Sequence, residues 1–172
     1  SARYDLEPYG FPGQQALSMA EGPLQIPITW GRELPFHETW ESSTFSFNDW
    51  TFFPSQSNWT IDVMEGFPVP SALFAWQPPQ VDSDLSLVSP VFNGVPYTCA
   101  AIWLDFDIRL ADRNSTSAEK LLVEVYHHGE WHQKAEFSNT GSFDWSHQQV
   151  DLSLVRGKGF RIRFRAVGLN SA

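Results

Sequence analysis

The chain has 172 residues, with 20 acidic against 11 basic side chains and a formal net charge of -9. At this length roughly 70% of the unfolded chain's surface can be buried around one core, and the acidic balance argues against wrapping nucleic acid or lying on an anionic membrane. A lone cysteine, Cys99, excludes an intrachain disulfide and a Cys-built zinc site, and no apolar run is long enough to insert in a bilayer.

The 8 Trp and 14 Phe, punctuated by Pro and Gly at short intervals, favour strands and turns over helices. Residues 1–31 are broken by turn signals at Pro8, Gly10, Pro12-Gly13 and Gly22-Pro23, and are expected to be a leader, a linker or the tail of a preceding module. Within them Leu24, Ile26, Ile28 and Trp30 alternate, while Pro23 and Pro27 lack ladder donors, which confines such a strand to an edge. Ser1-Ala2-Arg3 does not begin a signal peptide, so the chain is expected to be cut from something longer.

The main domain is expected over residues 32–172. It opens with Phe36 and Trp40 on one side and His37, Thr39 and Glu41 on the other, followed by aromatic-rich strands at 45–53 and 59–63. Six aromatic residues there, Phe45, Phe47, Trp50, Phe52, Phe53 and Trp59, are too many for a groove alone, so most are expected in the core. Short strands are predicted at 72–76 and 85–91. The longest alternation then runs through Ile102, Leu104, Phe106, Ile108 and Leu110 against Trp103, Asp105, Asp107 and Arg109, a strand with one buried face. Cys99 is expected to be a buried small apolar residue at its start.

Strands at 121–126 and 131–137 flank Gly129-Glu130 and are predicted to form a hairpin. Val150, Leu152 and Leu154 alternate next, and Phe160, Ile162, Phe164 and Ala166 interleave with Arg161, Arg163 and Arg165. Many short strands separated by turns predict an all-β fold, a two-layer antiparallel β-sandwich.

The order of the pieces resembles a known group. Pro35-Phe36-x-Glu38-x-Trp40-Glu41, Ser86-Leu87-x-Ser89-Pro90, the strand at 102–110, Leu122-Val123-Glu124-Val125, Gly129-Glu130-Trp131, Trp145 with Val150-Asp151-Leu152-Ser153, and Phe160 to Ala166 look like the MAM-like jelly rolls, which include the cleaved-adhesin domains of bacterial surface proteins. The likeness covers about residues 34–170. It implies a secreted or cell-surface, non-catalytic adhesion or ligand-binding module of a larger multidomain protein, recognising protein or carbohydrate beside the other domains of its parent chain. Two alternatives of other kinds are a carbohydrate-binding accessory domain of a secreted hydrolase and a passive spacer. With one cysteine the chain looks like the disulfide-free bacterial branch. Members of the group also tend to close with a Trp-x-Ile-Asp-x-Ile strand, which does not occur before Ala172; that strand is lost, replaced by the segment near Ile26, or omitted from the numbered chain.

The resemblance further implies a structural calcium ion near the opening strand, with Glu41 as first ligand and Glu38 and Asp49 behind it; hard cations take six to eight oxygen ligands. Asp105 and Asp107 lie on one strand face, and a charge ladder with Arg161, Arg163 or Arg165 explains them better than glycosidase carboxylates do. His127, His128 and His132 flank a turn and are expected in solvent. Trp103, Trp131 and Trp145 are candidate stacking platforms for sugar rings, against the plainer reading of tryptophans covered by loops. No nucleophile, phosphate-binding or dinucleotide motif occurs, so no catalytic residue is assigned.

Overall fold

The structure is a computed structural model that describes residues 31–76 and 83–168. The expected edge strand at 24–30 and the question of a closing strand lie outside these residues. The described chain is all-β, with ten strands: β1 (Thr51–Phe53), β2 (Trp59–Asp62), β3 (Ser71–Phe74), β4 (Asp84–Val88), β5 (Phe92–Asn93), β6 (Trp103–Leu110), β7 (Glu119–His127), β8 (Glu130–Ser138), β9 (Phe143–Asp151) and β10 (Gly159–Gly168). Every ladder between them is antiparallel. One layer is a six-stranded sheet in the order β1-β4-β10-β7-β8, with β5 also on β10. Facing it are two separate pairs, β6 with β9 and β2 with β3.

Alternation fixes which side of each strand meets the other layer. On β10, Phe160, Ile162 and Ala166 are buried, and the arginines between them point outward. Beside it, Val123 and Val125 of β7 are fully enclosed, as Leu87 of β4 nearly is. The two layers meet where Phe106 of β6 packs edge-on against Phe164 of β10, with ring centroids 5.4 Å apart. Trp40, Trp50, Phe45 and Phe52 form a second aromatic knot with centroids 5.0–5.3 Å apart. Burying rings of this size supplies the main drive for closing the sandwich.

Local expectations are corrected in several places. Phe45–Asn48 is a 3-10 turn ending at Asp49 with φ 60°, so strand pairing begins only at Thr51. Leu152 and Leu154 do not continue a strand, because β9 ends at Asp151 and Ser153–Val155 is a 3-10 turn. Cys99 is exposed rather than buried, since it sits in the connection before β6. The β7–β8 hairpin turns at His128 and Gly129, both with positive φ (53° and 84°), one residue earlier than predicted.

The arginine ladder exists with different partners. Arg163 donates from Nε to Glu124 Oε2 at 2.5 Å, and Arg165 lies 3.6 Å from the other Glu124 oxygen and forks onto Asp84 at 2.6 and 2.7 Å. The Arg163 guanidinium also sits 4.3 Å over the Trp131 ring. A ribbon Asp84, Arg165, Glu124, Arg163, Trp131 thus crosses β4, β10, β7 and β8 on the outer face. Arg165 donates hydrogen bonds to the charged Asp84 carboxylate and so holds that carboxyl below the usual carboxylate range. Asp105 and Asp107 take no part, because β6 belongs to the other layer and their side chains leave the sandwich on the opposite face; Arg161 faces Tyr126 in register instead.

Glu124 is 5% exposed, so Glu124→Ala leaves Arg163 without its carboxylate partner and is expected to cost on the order of 3 kcal/mol in chemical denaturation. Asp84→Ala, which breaks an exposed pair, is expected to cost less than about 1 kcal/mol. Equal losses would contradict this division.

Candidate functional site

The site is built on β6. Its partner β9 runs antiparallel in the register Trp103↔Asp151, Leu104↔Val150, Asp105↔Gln149 and Phe106↔Gln148. The Leu152 N–H donates to the carbonyl of Ile102 directly opposite, the phase of a hydrogen-bonded pair, while the Ile102 N–H itself goes to Ser153 Oγ. In an antiparallel ladder such pairs recur at every second residue. Leu104, Phe106 and Ile108 therefore bond to β9, whereas Trp103, Asp105 and Asp107 aim their N–H and C=O groups at the other edge. No strand among the described residues pairs with that edge.

A cleft of about 490 Å³ runs along it, lined by all six consecutive residues Trp103 to Ile108. That volume lies in the range of roughly 300–1,000 Å³ typical of ligand pockets. The facing wall comprises Phe67, Pro68, Pro70, Ser71 and Ala72 at the approach to β3, and residues 34 and 36–40 contribute the upper rim. This last stretch alternates half-buried Leu34, Phe36, Glu38 and Trp40 with exposed Pro35, His37 and Thr39, as predicted, but joins no strand. The floor is the core itself, at Leu121, Ile162 and Phe164. Leu104, Phe106 and Ile108, which line the cleft, are only half-buried, whereas Ile102 at its end is 5% exposed.

The mouth of the cleft carries aromatic and acidic groups. Trp103 is 48% exposed, so no loop among the described residues covers it. Trp145 joins the lining from β9, next to the register shift opposite Arg109. Asp105 and Asp107 stand on either side of one imidazole, His147 Nε2 to Asp105 at 3.6 Å and Nδ1 to Asp107 at 3.4 Å, and Gln149 donates to Asp105 at 3.0 Å. Arg109 is drawn away to Glu65 at 2.5 Å, tying β6 to the loop that leads to the opposite wall.

The other predicted residues lie elsewhere. Trp131 is on the outer face of the six-stranded layer, between Arg163 and Tyr126. Glu38 uses both oxygens as acceptors, for the Trp40 N–H, Asn48 Nδ2 and Trp50 Nε1 at 3.0, 3.0 and 2.8 Å. Asp49 pairs with Arg32 at 2.6 Å, and Glu41 is exposed. The structure therefore does not gather these three carboxylates into a cation cage, and no group of three or more His, Cys, Asp or Glu suited to a metal occurs among the described residues. Sequence reasoning missed the Pro68-Pro70 wall and the role of Glu38, which pins the Trp50 indole. An acidic residue set among Trp, Asn and Trp was the available signal.

Comparison with models of protein families, with curated proteins and with solved structures finds no match. Among the described residues no helix is long and apolar enough to cross a membrane.

A separate basic cluster lies at the β7–β8 turn. The positive φ of His128 swings its ring onto His127, with centroids 3.8 Å apart, although successive strand residues ordinarily diverge. Lys158 Nζ donates to His127 Nε2 at 2.7 Å and to His128 Nε2 at 3.1 Å, and His132 Nε2 reaches the His127 carbonyl at 3.2 Å. These histidines are thus held together, and His127 and His132 are half-buried rather than in open solvent. Partial burial, then the adjacent His128, Lys158 and His132, keep His127 below its usual pKa. Because the folded value is depressed, the unfolded chain binds more protons near pH 6.5, and stability falls as pH drops through that region. Lys158→Gln is expected to raise the His127 value in an NMR titration and to reduce the loss of melting temperature between about pH 7.5 and about pH 5.5; an unchanged titration would contradict the coupling.

Proposed function

We propose that this chain is a non-catalytic ligand-binding module of a larger exported protein, with the cleft beside β6 as its binding site. The observation that carries the reading is the exposed Trp103 set with Trp145 in the lining of a largely apolar cleft. Flat indole faces at a wet rim bind apolar ligand surfaces, and the neighbouring Asp105, Asp107 and Gln149 supply hydrogen-bonding groups that orient what is bound. Protein and carbohydrate ligands both fit this chemistry, and so does service as an accessory domain beside a catalytic one. The jelly-roll resemblance in the order of motifs supports the same role and a secreted or cell-surface setting.

A passive spacer would have no use for the cleft. Glycan-array and peptide-array binding of the domain is expected to be positive. Trp103→Ala and Trp145→Ala are each expected to weaken binding about tenfold, or roughly 1.4 kcal/mol. Trp131→Ala, on the far face, is expected to leave it unchanged. Binding that survives both cleft substitutions would remove the cleft from the function.

A further inference from the structure

A strand edge selects one kind of ligand. We infer that the cleft takes an extended peptide segment as an added strand beside β6, and that the preferred segment alternates apolar and basic residues. This inference rests on the reading of the cleft as the binding site and names the ligand class.

The backbone provides the first ground. Trp103, Asp105 and Asp107 aim three N–H and three C=O groups into the cleft, and no backbone hydrogen bond among the described residues uses them. The cleft is lined by every residue from Trp103 to Ile108, inward-facing and outward-facing alike, as well as by Ile162 and Phe164 of the facing sheet, so it reaches the strand from core to rim. Six residues at about 3.3 Å each give a slot of about 20 Å. The same cleft is also lined by Ser71 and Ala72, the first residues of β3, whose sole ladder partner among the described residues is β2. Peptide addition to an open edge gains affinity from the main chain and specificity from alternate side chains.

The side chains provide the second ground. A strand lying in the slot turns alternate residues inward, onto Leu104, Phe106 and Phe164, and outward, beside Asp105 and Asp107. The inward positions call for apolar residues. The outward positions meet two carboxylates that have no Arg or Lys within 4.0 Å among the described residues, the His147 imidazole lying 3.4–3.6 Å from them and Arg109 being held by Glu65. Lys or Arg at those outward positions is complementary in charge.

The test uses a synthetic peptide alternating Val and Lys over about seven residues, its analogue N-methylated at alternate residues on the ladder side, and two variants. Asp105→Asn removes the charge and keeps the edge. Asp105→Pro removes an N–H that points away from β9, a position on an edge strand where proline is tolerated, and its circular dichroism and melting report whether the sheet persists. The unmodified peptide is expected to bind the wild type, several-fold more weakly to Asp105→Asn, and at least about tenfold more weakly to Asp105→Pro. The N-methylated peptide is expected to lose binding to the wild type, a measurement independent of whether the proline variant folds. Equal binding of the two peptides, or no binding of the alternating peptide to the wild type, would overturn the inference. Glycan binding that depends on Trp103 without peptide binding would overturn the strand mode alone and leave the cleft as a ligand site. A cleft that takes neither would overturn both.

Discussion

Among the described residues strand β6 has a ladder on one side only, and most of what this molecule presents to a ligand follows from that. Buried backbone N–H and C=O groups demand partners, so an open edge has to stay wet or be filled. The cleft keeps it wet. Leu104, Phe106 and Ile108, which in a closed sandwich would be enclosed, are left half-exposed along the same line, and the ladder groups of Trp103, Asp105 and Asp107 stand beside them. Polar edge and apolar floor meet in one slot, a surface that neither a finished sheet nor a bare core offers.

An open second layer requires a first layer that holds its own shape. The six-stranded sheet supplies it, with Val123, Val125, Leu87 and Ile162 enclosed on the inner face and the ribbon from Asp84 to Trp131 across the outer one. Glu124 is the centre of that ribbon because both of its oxygens face arginines, the arrangement in which a buried charge is tolerated. The contact of Phe106 with Phe164 then carries β6 on this base. Packing of the other layer therefore reaches the cleft wall directly.

Legibility in the sequence followed the strength of one-sided alternation. The strands at 103–110, 119–127 and 159–168 were readable because each places apolar side chains on one face and charges on the other. β9 was largely missed because its aromatic residues, Phe143 and Trp145, share one parity with the polar His147 and Gln149 while the buried Val150 falls on the other, a switch of phase that goes with the register shift opposite Arg109. Its rank as partner of β6 is a long-range fact of pairing that no local pattern carries. The same holds for the arginines: their charge and spacing were plain, but Glu124 and Asp84 become their partners only once β10 is seated between β7 and β4. At the candidate site, Trp103 and the Asp105–Asp107 pair could be picked out by parity on a strand. The facing prolines and the free edge could not, since an absent neighbour leaves no mark on the residues beside it. Calcium ligands proposed at Glu38, Glu41 and Asp49 came from motif order alone, and the fold engages Glu38 and Asp49 locally and leaves Glu41 apart.

The open edge can be observed amide by amide. Hydrogen exchange followed by NMR should show Leu104, Phe106 and Ile108 strongly protected, since their N–H groups are bonded to β9, and Trp103, Asp105 and Asp107 exchanging rapidly between them. Uniform protection across all six amides would mean that a further strand already occupies the slot, and the account of a binding cleft along β6 would fail.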